Sequence, residues 1–172
     1  QSEQTDCDFY MSLCEKYGLS MKVYSNKIVV YDREAYKRKP SVATLSPSEI
    51  LSWSWSSTTA KTYTGGEFTY TEPNTEEEIK VNVGGGNRIL KESGKADSVA
   101  DAERQIQAAV NNANHGMVKL SVTIMGNAAF VASQNVDITG LGRLSGKYFI
   151  DNITHAVGNS GYTLDMELSL IQ

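Results

Sequence analysis

The 172 residues carry a net charge of −4, with 40% apolar and 21% charged residues and only 3 Pro against 14 Gly. That composition excludes disordered and collagen-like chains, and the length suffices for one ordinary domain or two small ones without disulfides or metals. Apart from Lys37-Arg38-Lys39 the basic residues are scattered, so no basic face for nucleic acid is expected. No apolar run approaches the ~20 residues of a membrane helix, and the opening QSEQTDCDFY lacks a positive region followed by an apolar stretch, so a soluble chain with no membrane insertion and no export signal of its own is expected.

TDCDFYMSLCEKYG predicts a helix, with a capping box of Thr5 and Asp8 and a stop at Gly18. On a helical wheel Cys7, Phe9, Tyr10, Leu13, Cys14 and Tyr17 share one arc, so both cysteines are expected to pack in the core. Seven residues apart, their Cα atoms would lie about 10 Å from each other along the helix axis, too far for a disulfide, and reduced thiols fit intracellular assembly. LSMKVYSNKIVVYD then predicts a β-hairpin turning at Ser25-Asn26. Residues 32–46 lose the apolar period and carry the basic cluster and Pro40, which marks a surface connection and a boundary between units.

From Ile50 onward the pattern is mostly β. In ILSWSWSS, Leu51, Trp53 and Trp55 alternate with serines, and KTYTGGEFTYTEP, EIKVNV and NRILKE follow. ADSVADAERQIQAAVNNANHG interrupts the strands with a Ser98/Asp101 capping box, an apolar row at Val99, Ala102, Ile106, Ala109 and Ala113, and a stop at Gly116. MVKLSVTIMG, AAFVASQNVDITG and two closing strands at about 146–157 and 162–171, joined by a turn at Gly158 to Gly161, complete seven to nine strands after the boundary. The fold class expected is α+β, mainly β. A helix plus β-hairpin segment occupies residues 1–45, and a β-barrel domain with one crossing helix at about 98–115 occupies residues 46–172.

No constellation of catalytic, cofactor-binding or metal-ligating residues emerges. Asp6-Cys7 at a helix start resembles the Asp-Cys-Ser-Gly motif of NlpC/P60 cysteine peptidases, but Asp8 and Phe9 stand where that family has Ser-Gly. The partner histidine would have to be His115, which is accounted for as the end of a helix before Gly116. His155 shares a strand face with Ile153 and Val157 and has no sequence-near Asp, Cys or second His, so a structural or exposed histidine is expected. Glu76-Glu77-Glu78 reads as a solvated turn, since hard-cation loops space their carboxylates. Gly84-Gly85-Gly86 lacks the Lys-Ser/Thr of a phosphate loop and reads as a tight turn. Trp53, Trp55, Tyr63 and Tyr70 could form a sugar-stacking platform, although barrel core is the simpler expectation for aromatics in step with Leu51.

The stretch ADAERQIQAAVNNANHGMVKLSVTIMGNAAFVASQNVDITGLGRLSGKYFIDNITHAVGNSGYTLDMELSLI resembles the C-terminal part of phage baseplate hub proteins of the late-control-protein-D and PBSX-type hub families. The features that carry the resemblance are the Asp101 to Arg104 helix segment, the turn at Gly126 to Phe130, GLGRLSGKYFI, and H-x-V followed by GYTLDMEL. SEQTDCDFYMSLCEKYGLSMKVYSNKIVVYD resembles the helix plus hairpin found mid-chain in the same hubs, and residues 45–95 match more loosely.

The resemblance implies a non-enzymatic scaffold without cofactor or metal, in which the barrel has the tail-tube fold. It implies a homotrimer that presents pseudo-sixfold symmetry to the tail tube protein and carries a spike protein below. The location implied is the baseplate of a virion or phage-like tail particle, assembled in the bacterial cytoplasm. Hubs of this kind usually open with a further barrel, whereas this sequence opens on the helix. The expectation is therefore a fragment of a longer hub, or a hub without that barrel, for which a free-standing trimer is in question. The alternatives are a cysteine peptidase and a carbohydrate-binding module of a cell-wall-acting tail protein.

Overall fold

A computed structural model describes residues 5–72, 75–159 and 161–171. The chain forms two compact units, each assembled from two separate stretches: residues 1–33 with 60–115, and residues 34–59 with 116–172. This partition differs from a division into residues 1–45 and 46–172. The expected crossing helix packs on a sheet of its own in the first unit, because its apolar face is matched there.

In the first unit Thr5 caps α1 (Asp6–Lys16), its hydroxyl accepting from the Asp8 N–H at 3.2 Å. β1 (Leu19–Tyr24) and β2 (Lys27–Asp32) pair antiparallel, with Met21 opposite Val30 and Val23 opposite Ile28. The expected burial of the α1 arc is corrected. Cys14 alone among the helix's residues is buried, Cys7 is exposed, and Phe9, Tyr10, Met11 and Leu13 are 40–53% exposed. At 3.6 residues per turn the arc spans about 160°, wider than the strip on which α1 meets β1 and α3.

The rest of this unit is the sheet β6-β5-β7, formed by β5 (Gly65–Thr71), β6 (Glu78–Gly84) and β7 (Ile89–Ser93), with α3 (Val99–Asn114) laid on it. β5 pairs antiparallel with β6 and parallel with β7. Ser98 caps α3, accepting from the Asp101 N–H at 3.1 Å. Ala102 and Ile106, both fully buried, pack with Phe68, Tyr70 and Val81, while Val99 at the head of the expected row stays 47% exposed. Gly66 allows this close approach, since a Cβ there would lie 2.3 Å from Ile106 Cγ1. Asn114 clamps the lead-in to β5: its side chain accepts from the Tyr63 N–H at 2.7 Å and donates to the Tyr63 carbonyl at 2.8 Å. Pro73 and Asn74, before the glutamate run, lie outside the described residues. Glu76 turns with φ 57°, and Glu76 to Glu78 are exposed.

The second unit holds all of α2 (Arg33–Lys37) but its first residue, and a curled six-stranded sheet in the order β3-β9-β10-β11-β8-β4. Its strands are β3 (Ala43–Leu45), β4 (Ile50–Ser57), β8 (Val118–Met125), β9 (Asn135–Ile138), β10 (Gly146–Gly158) and β11 (Gly161–Leu170). All pairings are antiparallel except β3 with β9. The stretch expected as bare surface connection thus contains both α2 and β3. Asn135, 2% exposed, fastens it: its amide lies 2.8 Å from the carbonyls of Tyr36 and Lys39.

The sheet is half a barrel, because β3 and β4 form its two ends instead of pairing with each other. One face is core: Leu120, Val122, Ile124, Val136, Ile138, Tyr148, Ile150, Leu164, Met166 and Leu168 are at most 4% exposed. Phe130 joins them through a turn in which Asn127 Oδ1 accepts from the Ala129 N–H at 3.0 Å. Burial raises the Tyr148 hydroxyl above its ordinary pKa while it donates to the Leu144 carbonyl at 2.8 Å. Ser160, in the expected closing turn, lies outside the described residues; the flanking Gly158 and Gly161 pair directly.

Gly66→Ala should lower stability by about 1–3 kcal/mol, because Ile106 and Val110 are both buried and cannot move aside. Gly85→Ala, which meets nothing within 4 Å, should stay within ~0.5 kcal/mol. Equilibrium urea unfolding of the two variants checks the difference.

Candidate assembly surface

The open end of the half-barrel is where the sheet's chemistry reaches solvent. β4 pairs with β8 and, among the described residues, with nothing on its other side. Opposite residues in an antiparallel pair share a face. Trp53 lies opposite Val122 and Trp55 opposite Leu120, and those two lie opposite Met166 and Leu168 on β11. Two apolar files therefore run outward from the core and end on tryptophans. Val122, Leu120, Met166 and Leu168 are at most 2% exposed, Trp53 47% and Trp55 56%.

The expectation that Trp53 and Trp55 are barrel core is corrected. They stand on the core face, but at its uncovered rim. Leu51 does not share their file. The register shifts between Ile50 and Ser52, so Ile50, opposite Ile124, leads the apolar file and Leu51 is 56% exposed. The other two aromatics proposed for a platform, Tyr63 and Tyr70, belong to the first unit, where Tyr70 is 3% exposed.

The opposite face of the same strands is polar. Ser52, Thr123, Asp165 and Thr154 form one file across four strands, and Ser54, Ser121, Glu167 and Asn152 form the next. Thr123 donates to Asp165 at 2.6 Å. These residues line a shallow groove of about 280 Å³. A second hollow of about 390 Å³ lies between β3, the start of β4 and the Met125 to Phe130 turn.

His155 stands near the tip of the β10–β11 hairpin, exposed and opposite Leu164. Its Nδ1 lies 2.7 Å from the Tyr162 hydroxyl, with the two rings stacked at 20°. Gly126 passes under Tyr162 so closely that a Cβ would lie 1.9 Å from the ring. The histidine's partner is thus an aromatic hydroxyl, an arrangement that fixes the ring and builds neither a triad nor a metal site. Cys7 sits in the first turn of α1 and His115 caps the end of α3, its N–H bonding to the Asn111 carbonyl at 2.9 Å. Gly84, Gly85 and Gly86 turn the chain against Thr64. Among the described residues no three His, Cys, Asp or Glu side chains gather as a metal site, and no helix is long and apolar enough to cross a membrane.

A second uncovered apolar surface lies in the first unit, on α1 and the hairpin. Besides the α1 residues, Val23, Ile28 and Val30 are 65%, 62% and 47% exposed. The consecutive Phe9, Tyr10 and Met11 were a signal of it, since three successive helical positions cannot all face one core.

Trp55→Ser should change the stability of the isolated chain by no more than about 1 kcal/mol, whereas Leu120→Ala, directly across the strand pair, should cost about 2–5 kcal/mol. Urea unfolding of the two variants measures both, and equal losses would mean that the tryptophans are core after all.

No protein-family model and no curated protein matches this sequence. Solved structures do. The tail protein from Neisseria meningitidis MC58 matches with a TM-score of 0.74 at 15% identity, over 99% of this chain and 55% of its own. The 43 kDa tail protein of prophage MuSo2 from Shewanella oneidensis matches with a TM-score of 0.72 at 12% identity, over 98% of this chain and 53% of its own. A chain from the virion of a native gene transfer agent particle matches with a TM-score of 0.64 at 15% identity, over 100% of this chain and 40% of its own. The chain thus spans about half the length of the tail proteins it matches, and at these identities what it shares with them is the fold: an α+β, mainly β chain built like phage tail proteins.

Proposed function

We propose that this chain is a structural, non-enzymatic part of a baseplate hub in a phage or phage-like tail, joining the tail tube to the spike by barrel-against-barrel assembly. The observation that carries the reading is the half-barrel whose core files end uncovered on Trp53 and Trp55, in a chain whose whole length follows the fold of phage tail proteins. A half-barrel of this kind is completed by neighbours, which suits a ring component better than an isolated domain. In the intact hub the protein is a homotrimer, the tube and spike proteins are its partners, and assembly takes place in the bacterial cytoplasm before the particle is released. No cofactor, metal, membrane or nucleic-acid contact is required.

The test is localisation on the particle. Gold-labelled antibody against this chain, applied to purified tails, should mark one site at the baseplate end, with this chain present at half the copy number of tube subunits in one ring. Label spread along the tube, or absent from the particle, would refute the hub reading.

A carbohydrate-binding module is the second reading, favoured by Trp53 and Trp55 standing half-exposed two residues apart on one strand face. Under the hub reading a tetrasaccharide of N-acetylglucosamine should leave tryptophan emission unchanged up to millimolar concentration. Saturable quenching that Trp53→Ala abolishes would favour the sugar instead.

A further inference from the structure

Six strands among the described residues pair on one side only: β1, β2, β3, β4, β6 and β7. Such edges invite pairing with other chains unless charges, Pro or shortness protect them. β6 carries Glu78 and Lys80, β7 carries Lys91 and Glu92, β1 has Lys22 in its middle, and β3 is three residues long. β4 has no charged residue and no Pro along its eight residues. β2 is charged only at its ends, Lys27 and Asp32, leaving Ile28 to Tyr31 uncharged.

The two unprotected edges also match in their side chains. β4 offers Trp53 and Trp55, and β2 offers Ile28 and Val30, each pair at alternate positions on one face and each residue roughly half-exposed or more. We propose that the β4 edge of one copy pairs with the β2 edge of a second copy, so that Ile28 and Val30 extend the files that run from Leu120 and Val122 to Trp55 and Trp53.

Register is set by the faces. A slip of one residue would turn Ile28 and Val30 toward the serine face, so the pairing that keeps apolar against apolar is specified. Cross-strand aromatic and β-branched pairs are among the favourable combinations in sheets. Because the two edges differ, the contact is head-to-tail, and such a contact propagates to a ring or a filament instead of closing as a twofold dimer. The proposal rests on the assembly reading above, for which it names the self-contact.

The experiment uses the full chain in a Cys7→Ser background, which removes the exposed thiol. Ser54→Cys and Val29→Cys are made separately, mixed, and oxidised with copper phenanthroline. Antiparallel pairing of Trp53 with Val30 and Trp55 with Ile28 brings Ser54 opposite Val29. A disulfide-linked dimer should form in the mixture at least tenfold faster than in either variant alone. In sedimentation, Trp53→Lys combined with Trp55→Lys should weaken self-association at least tenfold while circular dichroism stays unchanged, and Lys80→Ala on the β6 edge should leave it unchanged. A monomer at all concentrations, or Ser54→Cys cross-linking to itself as readily as to Val29→Cys, would overturn the proposal. Neither result would move gold label from the baseplate end, so the hub reading fails or stands separately.

Discussion

The ladder between β10 and β11 is what the larger sheet depends on. It joins strands only a turn apart in sequence, yet it supplies Tyr148, Ile150, Leu164, Met166 and Leu168, five of the most deeply buried side chains in the chain. Each of the two strands also seats a more distant one: β10 takes β9, and β11 takes β8, which in turn takes β4. A bulge at Asp151 makes this consistent. Tyr148 and Ile150 face the core before it, Ile153 and His155 keep to the same face after it, and Ser169 donates to the Asp151 carboxylate across the ladder. Without the bulge, the alternation would carry the outer half of the strand to the polar face.

The same geometry leaves the sheet incomplete. The core files run from β11 through β8 to β4, whose tryptophans are flanked by β8 on one side and by nothing on the other among the described residues. At ~25 cal/mol per Å² of apolar surface, two half-exposed indoles are a substantial unmet driving force, and protection by charge is missing from the strand that bears them. Uncovered apolar surface on α1 and the hairpin of the other unit adds to it.

Much of the local structure was legible. The capping boxes at Thr5/Asp8 and Ser98/Asp101, the turn at Ser25-Asn26 and the two long closing strands follow from side-chain chemistry acting over a few residues. The candidate surface was half legible. Alternation in SWSWSS correctly separates tryptophans from serines, but alternation reports which residues share a face and says nothing of whether that face is covered. Leu51 was misassigned because a bulge resets the phase, and a bulge leaves no mark in the pattern of apolar residues. The α1 arc was misjudged for a related reason: a wheel gives the direction of side chains, and the width of the partner decides how many of them are buried.

By itself, then, the sequence determined most of the elements with their caps and turns, though not α2 and β3, because caps and turns depend on neighbours within one or two turns of chain. The tertiary structure decided the pairings of β4 with β8 and of β3 with β9, the placing of α3 on a sheet separate from the half-barrel, and the exposure of Trp53 and Trp55. The strand pairings join residues 61 to 93 positions apart, where the gain from burying a shared face outweighs any preference that one strand expresses alone.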